Sequence, residues 1–530
     1  MEELTKTESV CPECLRVIPA TVFEENGRVW IKKVCPEHGE FKDLYFGSRK
    51  WYERAKRYAR DGRGVLNPQV EKESPVCPRD CGLCRMHLSH TALANVVVTN
   101  RCDLTCWYCF FYSGRAGYVY EPTLQQIDEM IEILRSEKPI PCNAVQITGG
   151  EPCLRDDLID IIRIIKKHGI DHVQLNTNGI RLAHDPELLR RVREEGVNTL
   201  YLSFDGLTEK TNPKNHWEVP TLLESCRKIG MGVVLVPTVI NSVNDHEIGD
   251  IIRFGIKNLD VVRGVNFQPV SLVGRMPREE REKYRITIPD VLEKMEEQTK
   301  GEITVEDFFP VPTAMIISGF LEALTGRTMY DLSSHFACGA ATYLFKDGER
   351  MVPITRFIDV DGFLEYLDKR AEDLRGGKSR IITGMRILSD IGKFIDKKNK
   401  PKDIDVGRLI FDVIVRHNYD ALGKFHMKTL FVGMMHFMDL YNYDIERVKR
   451  CCIHYVMTDR RIVPFCAFNV IPEWYRDENQ KSQGISFEEW EKKSGRSLKA
   501  DLYKRDVERL KGTDAYKKFV QQVAEIKTKA

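Results

Sequence analysis

The sequence predicts an α/β fold whose centre is a parallel sheet of six strands. Between residues 92 and 275, short apolar runs alternate with longer segments that carry apolar residues at helical spacing. The first pattern is typical of buried strands and the second of amphipathic helices. Because the two alternate, consecutive strands are expected to run parallel and to be joined by right-handed crossovers. Six such units are too few to close an eight-stranded barrel.

The strands and helices of this central region follow one another in a regular order. The strands are predicted at residues 92–99, 143–148, 172–179, 199–206, 232–240 and 264–270. The helices are predicted at residues 123–138, 156–169, 185–195, 219–229 and 245–258. Gly169 directly follows the second helical pattern, which is where a glycine ends a helix.

Charge and cysteine content limit the classes of protein that fit this chain. Its 530 residues include 80 basic and 78 acidic residues, so a net charge of +2 gives no reason to expect a nucleic-acid partner. Sixteen cysteines without a secretory signal indicate metal ligands in a reducing cytoplasm, although intracellular proteins of hyperthermophiles also contain disulfides. No apolar run reaches the ~20 residues of a membrane-spanning helix.

The cysteine motifs and changes in composition predict five segments. They are a metal-binding module (1–50), a cysteine-containing connector (51–91), the strand–helix region (92–275), a C-terminal cysteine domain (276–475) and a charged helical tail (476–530).

Two matching knuckles near the N-terminus predict a site for one metal ion. The four expected ligands are Cys11, Cys14, Cys35 and His38. Asn26-Gly27, between the knuckles, is typical of a tight hairpin turn. Three thiolates and an imidazole close a tetrahedral site, and the pattern resembles rubredoxins and zinc ribbons. Iron and zinc both suit these ligands.

A C-x3-C-x2-C loop follows the first predicted strand. Cys102, Cys106 and Cys109 can hold three irons of a 4Fe–4S cluster and leave the fourth iron open. A structural zinc loop is less favoured, because such sites usually contain two C-x2-C pairs. The loop, with Tyr108 before its third cysteine, resembles the signature of the radical S-adenosylmethionine (SAM) superfamily. That resemblance implies that SAM chelates the open iron and that the six strands form a partial (βα)6 barrel.

Polar and glycine residues lie where predicted strands end, the side at which parallel α/β folds bind ligands. Gly149, Gly150 and Glu151 form a GGEP motif like that of the superfamily. The resemblance implies SAM contacts at these three residues and at Tyr108, Asn178, Ser203, Asp205 and Gln268. Each polar residue also fits a loop cap, since such side chains favour turns.

Two further cysteine groups predict auxiliary 4Fe–4S clusters. The first consists of Cys77, Cys81 and Cys84, with Cys142 or Cys153 as the candidate fourth ligand. The second consists of Cys338, Cys451, Cys452 and Cys466. The adjacent Cys451 and Cys452 cannot point the same way in an extended segment, so one of them is expected to be spare or to serve another site. The full expected set is SAM, three 4Fe–4S clusters and one mononuclear iron or zinc.

The N-terminal ribbon and the late cysteine group together resemble the archaeal tetraether lipid synthases over about residues 10–475. This resemblance implies carbon–carbon bond formation between archaeal ether lipid chains and a small electron donor of the ferredoxin or flavodoxin type. Phe- and Met-rich segments at 308–324 and 430–441 fit either a lipid tunnel or ordinary core. A basic, apolar helix at 380–398 fits peripheral association with the inner face of the membrane or plain docking.

Two other functions remain open from the sequence. Homologues of this type have also been interpreted as radical SAM methylases of a pterin cofactor, which would need a polar, aromatic-lined pocket. A non-catalytic metal-ribbon protein bound to nucleic acid is less favoured, because the charge is nearly balanced.

Overall fold

The computed structural model describes residues 2–111, 116–402 and 428–529. The N-terminal module is an antiparallel sheet in the order β1-β2-β3-β4. Its elements are β1 (Glu2–Val10), β2 (Val17–Glu25), β3 (Arg28–Cys35) and β4 (Gly39–Phe46), followed by helix α1 (Arg49–Lys56). Asn26 and Gly27 have φ angles of 55° and 75°, so the left-handed turn expected between β2 and β3 is present.

The six predicted parallel strands are present and lie side by side in the order β12-β10-β9-β8-β7-β5. The strands of this region are β5 (Leu93–Thr99), β6 (Tyr118–Val119), β7 (Ala144–Gly149), β8 (His172–Thr177), β9 (Thr199–Ser203), β10 (Gly232–Val236), β11 (Thr238–Val239) and β12 (Val262–Pro269). Its helices are α2 (Leu124–Arg135), α3 (Leu158–Lys167), α4 (Ile180–His184), α5 (Pro186–Glu194), α6 (Val219–Ile229) and α7 (Ile248–Lys257). The buried isoleucines of α3 pack against the sheet in one large apolar core.

Two strands from the C-terminal half extend the parallel sheet at both edges. Strand β16 (Thr429–Met435) pairs parallel with β12, and β17 (Ile453–Val456) pairs parallel with β5. Antiparallel neighbours follow on each side, namely β14 (Gly339–Asp347) beside β16 and β18 (Ile462–Pro464) beside β17. The boundary expected near residue 275 therefore does not divide the sheet.

The remaining elements surround this barrel. Before β16 they are α8 (Arg281–Tyr284), α9 (Ile288–Gln298), β13 (Phe309–Pro310), α10 (Ala314–Thr325), β15 (Arg350–Pro353), α11 (Val360–Arg375) and α12 (Arg380–Asp390). After it they are α13 (Ile445–Lys449), α14 (Phe465–Val470), α15 (Arg476–Gln483), β19 (Ile485–Ser486), α16 (Phe487–Ser494), α17 (Val507–Lys511) and α18 (Asp514–Lys529). Among the described residues, none of the helices combines the length and the apolar character that crossing a membrane requires.

Candidate functional site

A cavity of about 480 Å³ opens at the carboxyl ends of the barrel strands and extends into the lumen. It is lined by most of the residues that the sequence singled out for SAM and its cluster. These are Cys102, Cys106, Tyr108, Cys109, Gly149, Gly150, Glu151, Asn178, Ser203 and Gln268. Residues that are up to 166 positions apart in the chain are thus brought to one pocket, because the ends of parallel strands meet at one edge.

The cysteine loop suits an open iron–sulfur cluster. The thiols of Cys102, Cys106 and Cys109 are half-buried and all line the cavity. Burial raises the pKa of Cys106 to about 11, and the Lys214 ammonium opposes that rise. A thiolate therefore needs a positive partner here, and the irons of a cluster provide one. Three ligands facing a cavity leave room for a small molecule at the remaining iron.

The two glycines of the GGEP motif are required by close contact with the protein backbone. A Cβ on Gly149 would lie 2.1 Å from the Thr99 carbonyl oxygen, and one on Gly150 would lie 2.0 Å from that of Arg101. The Gly150 N–H donates to the Thr99 oxygen at 2.8 Å, and the Glu151 N–H donates to the Arg101 oxygen at 2.8 Å. The motif thus fixes the start of the cysteine loop against β7.

Glu151 and Asn178 form a buried network behind the same loop. The Glu151 carboxylate accepts from the backbone N–H groups of Cys153 and Asn178 and from the Thr177 hydroxyl, at 2.8–2.9 Å. Burial raises the pKa of Glu151 to about 7, and the Asp103 charge adds to the shift. The Asn178 amide donates to Asp103 at 2.6 Å, next to Cys102. These residues therefore orient the loop as well as lining the cavity.

Asp205 forms an ion pair behind the cavity instead of being one of its lining residues. Its carboxylate lies 2.7 Å from the Lys214 ammonium and accepts a hydrogen bond from the Tyr108 hydroxyl. Lys214 lines the cavity and lies over the Tyr108 ring at 5.3 Å. The sequence analysis missed Lys214, since it lies in the connection between β9 and α6 and belongs to no recognisable motif. It brings a buried positive charge to the cysteine loop.

The C-terminal half supplies an aromatic wall to the cavity. Phe437 and Phe465 are stacked with ring centroids 3.8 Å apart, and both line the cavity. Tyr455 of β17 also lines it and stacks on Phe468 at 4.0 Å. Cys466 lies at the same wall. The lining also includes polar side chains on β5, β7, β8, β9 and β12, so the cavity has both an aromatic and a polar part.

The four predicted ligands of the N-terminal site come together. The ligand atoms of Cys11, Cys14, Cys35 and His38 all lie within 4.8 Å of one another. Burial raises the pKa of the Cys35 thiol, but hydrogen bonds from the Glu37 backbone and from His38 outweigh this effect and lower it to about 6. The arrangement suits one tetrahedral ion, because a thiolate is the form that binds a metal.

The other cysteines form two neighbouring groups. Cys77, Cys81 and Cys84 surround a small cavity that neither Cys142 nor Cys153 lines. Cys142 instead donates to the Ala144 carbonyl at 3.3 Å, and the Cys153 sulfur lies 3.6 Å from the Thr177 hydroxyl.

Cys451 lies between the two groups. Burial and the charges of Cys77 and Cys84 are the main causes of the raised pKa of Cys81, and the charge of Cys451 raises it further. Burial is the main cause of the raised pKa of Cys466, and the charges of Cys451 and Cys338 add to it. The Cys338 sulfur accepts a hydrogen bond from the Arg447 guanidinium at 3.3 Å. Burial raises the pKa of Cys452, and the charge of Cys338 adds to that rise. Cys451 is thus available to either group.

Comparison with known proteins identifies the family. The model of the radical SAM superfamily matches residues 96–255, and the model of the HMPTM N-terminal zinc ribbon domain matches residues 3–47. The chain is 45% identical over 501 residues to 7,8-dihydro-6-hydroxymethylpterin dimethyltransferase of Methanocaldococcus jannaschii, covering 92% of this chain and 97% of that protein. The chain belongs to the family of this dimethyltransferase. The predicted fold class, a radical SAM barrel behind a zinc-ribbon-like module, is confirmed.

Other similar proteins cover a smaller share of the chain. A GTP 3′,8-cyclase of Aquifex aeolicus is 32% identical over 186 residues, which cover 34% of this chain and 57% of that protein. The solved structure of HydG, a maturase of the [FeFe]-hydrogenase, covers 40% of this chain and 50% of its own, with 14% identity and a TM-score of 0.32.

The interpretation as a tetraether lipid synthase is wrong, because the dimethyltransferase family member that spans nearly the whole chain is named for a pterin. The expected ether-lipid substrate and membrane association are corrected with it. The structure also gives no support to a tunnel formed by the segment 308–324, because none of its residues lines the cavity. Ile316 and Phe320 of α10 pack on Leu364 and Leu367 of α11 and are not among the residues that line the cavity.

Proposed function

We propose that this protein is a radical SAM methyltransferase whose substrate is a reduced pterin. The observation that carries the proposal is the 45% identity to the M. jannaschii pterin dimethyltransferase over 92% of this chain and 97% of that protein. The cavity gives separate support, because its polar and aromatic walls suit a flat heterocycle better than two long alkyl chains.

In this proposal the residues of the cavity divide into two sets. Cys102, Cys106 and Cys109 hold a 4Fe–4S cluster, and the residues at the strand ends bind SAM. When bound, the cluster and SAM supply the radical chemistry. Lys214 supplies positive charge beside the loop, and the Glu151 network keeps the loop in position. The lumen below these groups holds the pterin and excludes water from it.

We also propose that the remaining cysteines hold auxiliary clusters. Cys77, Cys81 and Cys84 form one group and Cys338, Cys452 and Cys466 the other, with Cys451 available to both. The small cavity lined by Cys77, Cys81 and Cys84 supports the first group. In the second group, the charge of Cys338 adds to the effect of burial in raising the pKa of both Cys452 and Cys466. Iron and sulfide analysis of the anaerobic protein tests it. Replacing Cys81 by serine is expected to remove about one cluster's iron and to leave SAM cleavage by the first site measurable in single turnover.

The test of the function is an anaerobic assay with reduced 6-hydroxymethylpterin, SAM, a strong reductant and an isotope-labelled methyl donor. Mass spectrometry is expected to detect a pterin that has gained one and then two methyl groups, together with 5′-deoxyadenosine. The Cys106→Ala variant is expected to form neither product. A wild-type enzyme that forms 5′-deoxyadenosine but no methylated pterin would contradict the proposal.

A further inference from the structure

Three amide side chains lie in register across the floor of the barrel lumen. Asn95 of β5 is paired with Gln146 of β7, and Gln146 is paired with Gln174 of β8. Alternate residues of a strand point to one face, so these in-register neighbours share the inner face of the sheet. All three line the cavity. We call this set the amide ladder.

The amide ladder is joined by hydrogen bonds that run in one direction. The Gln174 amide donates to the Gln146 oxygen at 2.6 Å, and the Gln146 amide donates to the Asn95 oxygen at 2.8 Å. The Asn95 amide donates to the His454 carbonyl oxygen at 3.2 Å. Each side chain is therefore held in one orientation before any ligand enters.

The amide ladder keeps hydrogen-bonding capacity for a ligand. A carboxamide carries two N–H donors and two acceptor lone pairs. Within the described part of the chain, Gln146 uses one donor and one lone pair, which leaves one of each toward the cavity. The side chains are nearly buried, with 1%, 7% and 9% exposure for Asn95, Gln146 and Gln174. This remaining capacity faces a cavity, where a bound ligand can use it.

The aromatic wall beside the amide ladder suits the face of a flat ring. Tyr455 is the register partner of Asn95 on β17, and its ring lines the cavity with the Phe437–Phe465 stack. Aromatic rings favour offset or edge contacts with other flat π-systems. A ligand that presents a hydrogen-bond acceptor next to a donor along one edge, and two apolar faces, would match both the amides and the aromatic rings.

We propose that the amide ladder binds the aminopyrimidinone edge of the substrate, with Gln146 as the central contact. This inference rests on the proposed function, and it names the subsite that distinguishes a pterin from other substrates. The carbonyl oxygen and the adjacent ring N–H of a pterin form an acceptor–donor pair that matches an amide with one donor and one acceptor free, and the exocyclic amino group beside them is a second donor. SAM is held at the strand ends, so the substrate edge and SAM use different residues.

The test compares the KM for the pterin with the KM for SAM in substituted enzymes. Methionine has nearly the shape of glutamine and cannot make its hydrogen bonds. Gln146→Met is expected to raise the KM for the pterin about 10- to 100-fold, as expected when a buried partner is left unsatisfied. The KM for SAM and the rate of 5′-deoxyadenosine formation without pterin are expected to stay within about twofold. Gln125→Met, at an exposed amide on α2, is the matched control and is expected to change neither value.

A second variant keeps the test decisive if Gln146→Met does not fold. Gln174→Met removes the hydrogen bond that orients Gln146, together with a 3.4 Å contact to the His172 ring, and a rise of about 3- to 10-fold in the KM for the pterin is expected. If the wild-type enzyme methylates the pterin but both foldable variants keep its KM within about twofold, the subsite is wrong and the function stands. If the wild-type enzyme neither binds nor methylates a pterin, the proposed function fails and the subsite fails with it.

Discussion

Arg101 joins the cysteine loop to the C-terminal segment, and its replacement by methionine is expected to destabilise both. Its guanidinium donates to Glu121 at 2.8 Å, to Asp501 at 2.6 Å and to the Leu154 carbonyl oxygen at 3.0 Å. It also lies 4.5 Å from the ring centroid of Trp490. The Arg101 side chain is only 4% exposed. Methionine keeps part of the aliphatic stem and removes every one of the polar contacts.

The expected magnitude follows from the burial of this group. Removing one partner of a buried ion pair costs about 3–5 kcal/mol, because the other charge is left uncompensated. Glu121 and Asp501 keep 21% and 13% exposure, so water can solvate them in part. We therefore expect Arg101→Met to lower the free energy of unfolding by about 3 kcal/mol, the lower end of that range. Because Arg101 precedes Cys102, the variant is also expected to retain less iron in the cluster of that loop.

The assay is urea unfolding of the anaerobic protein followed by fluorescence, together with iron analysis. Arg496→Met is the matched control, because Arg496 also pairs with a carboxylate, Asp156, at 2.8 Å, but the two side chains are 43% and 65% exposed. An exposed pair contributes about 0–1 kcal/mol. Equal losses of stability in the two variants, or an unchanged iron content in Arg101→Met, would refute the reasoning.

Three further predictions concern single residues. Lys214→Met leaves the buried Asp205 carboxylate without its ion-pair partner, and at least a 10-fold loss in 5′-deoxyadenosine formation is expected, with Lys214→Arg recovering part of it. Cys35→Ser is expected to release the N-terminal metal ion and to lower the melting temperature without changing the iron of the barrel cluster, as measured by metal analysis. Burial raises the pKa of Glu137 to about 7, so the folded state holds a proton on this carboxyl group more tightly than the unfolded state does. Its contribution is expected to weaken stability by roughly 2–3 kcal/mol as pH rises from about 4.5 to above 7, and Glu137→Gln should flatten that part of the pH–stability profile.

The central strands and helices could be predicted because their signals are local. The helix expected at 219–229 is α6 with those bounds, and the strands fall within a few residues of the predicted ranges. The cysteine loop and the GGEP motif were recognisable because a cluster and a tight backbone contact each require particular residues at fixed spacing. Such constraints are visible in a single sequence.

The rest of the site depends on contacts between distant segments. No local pattern shows that Phe431 of β16 lies beside Gly264 of β12, or that Tyr455 of β17 lies beside Asn95 of β5. Lys214 also belongs to no sequence motif, because its role comes from its ion pair with Asp205. The Phe- and Met-rich composition of 308–324 fits core and tunnel alike, and only packing distinguishes them.

The choice of substrate follows from how the barrel is completed. Six strands supply the polar wall and the SAM side of the cavity, whereas β16, β17 and α14 supply the aromatic wall. The GTP 3′,8-cyclase aligns with 34% of this chain, whereas the dimethyltransferase aligns with 92% of it. Under the proposed function, substitutions in the aromatic wall and in the amide ladder are expected to change the KM for the pterin more than the rate of 5′-deoxyadenosine formation.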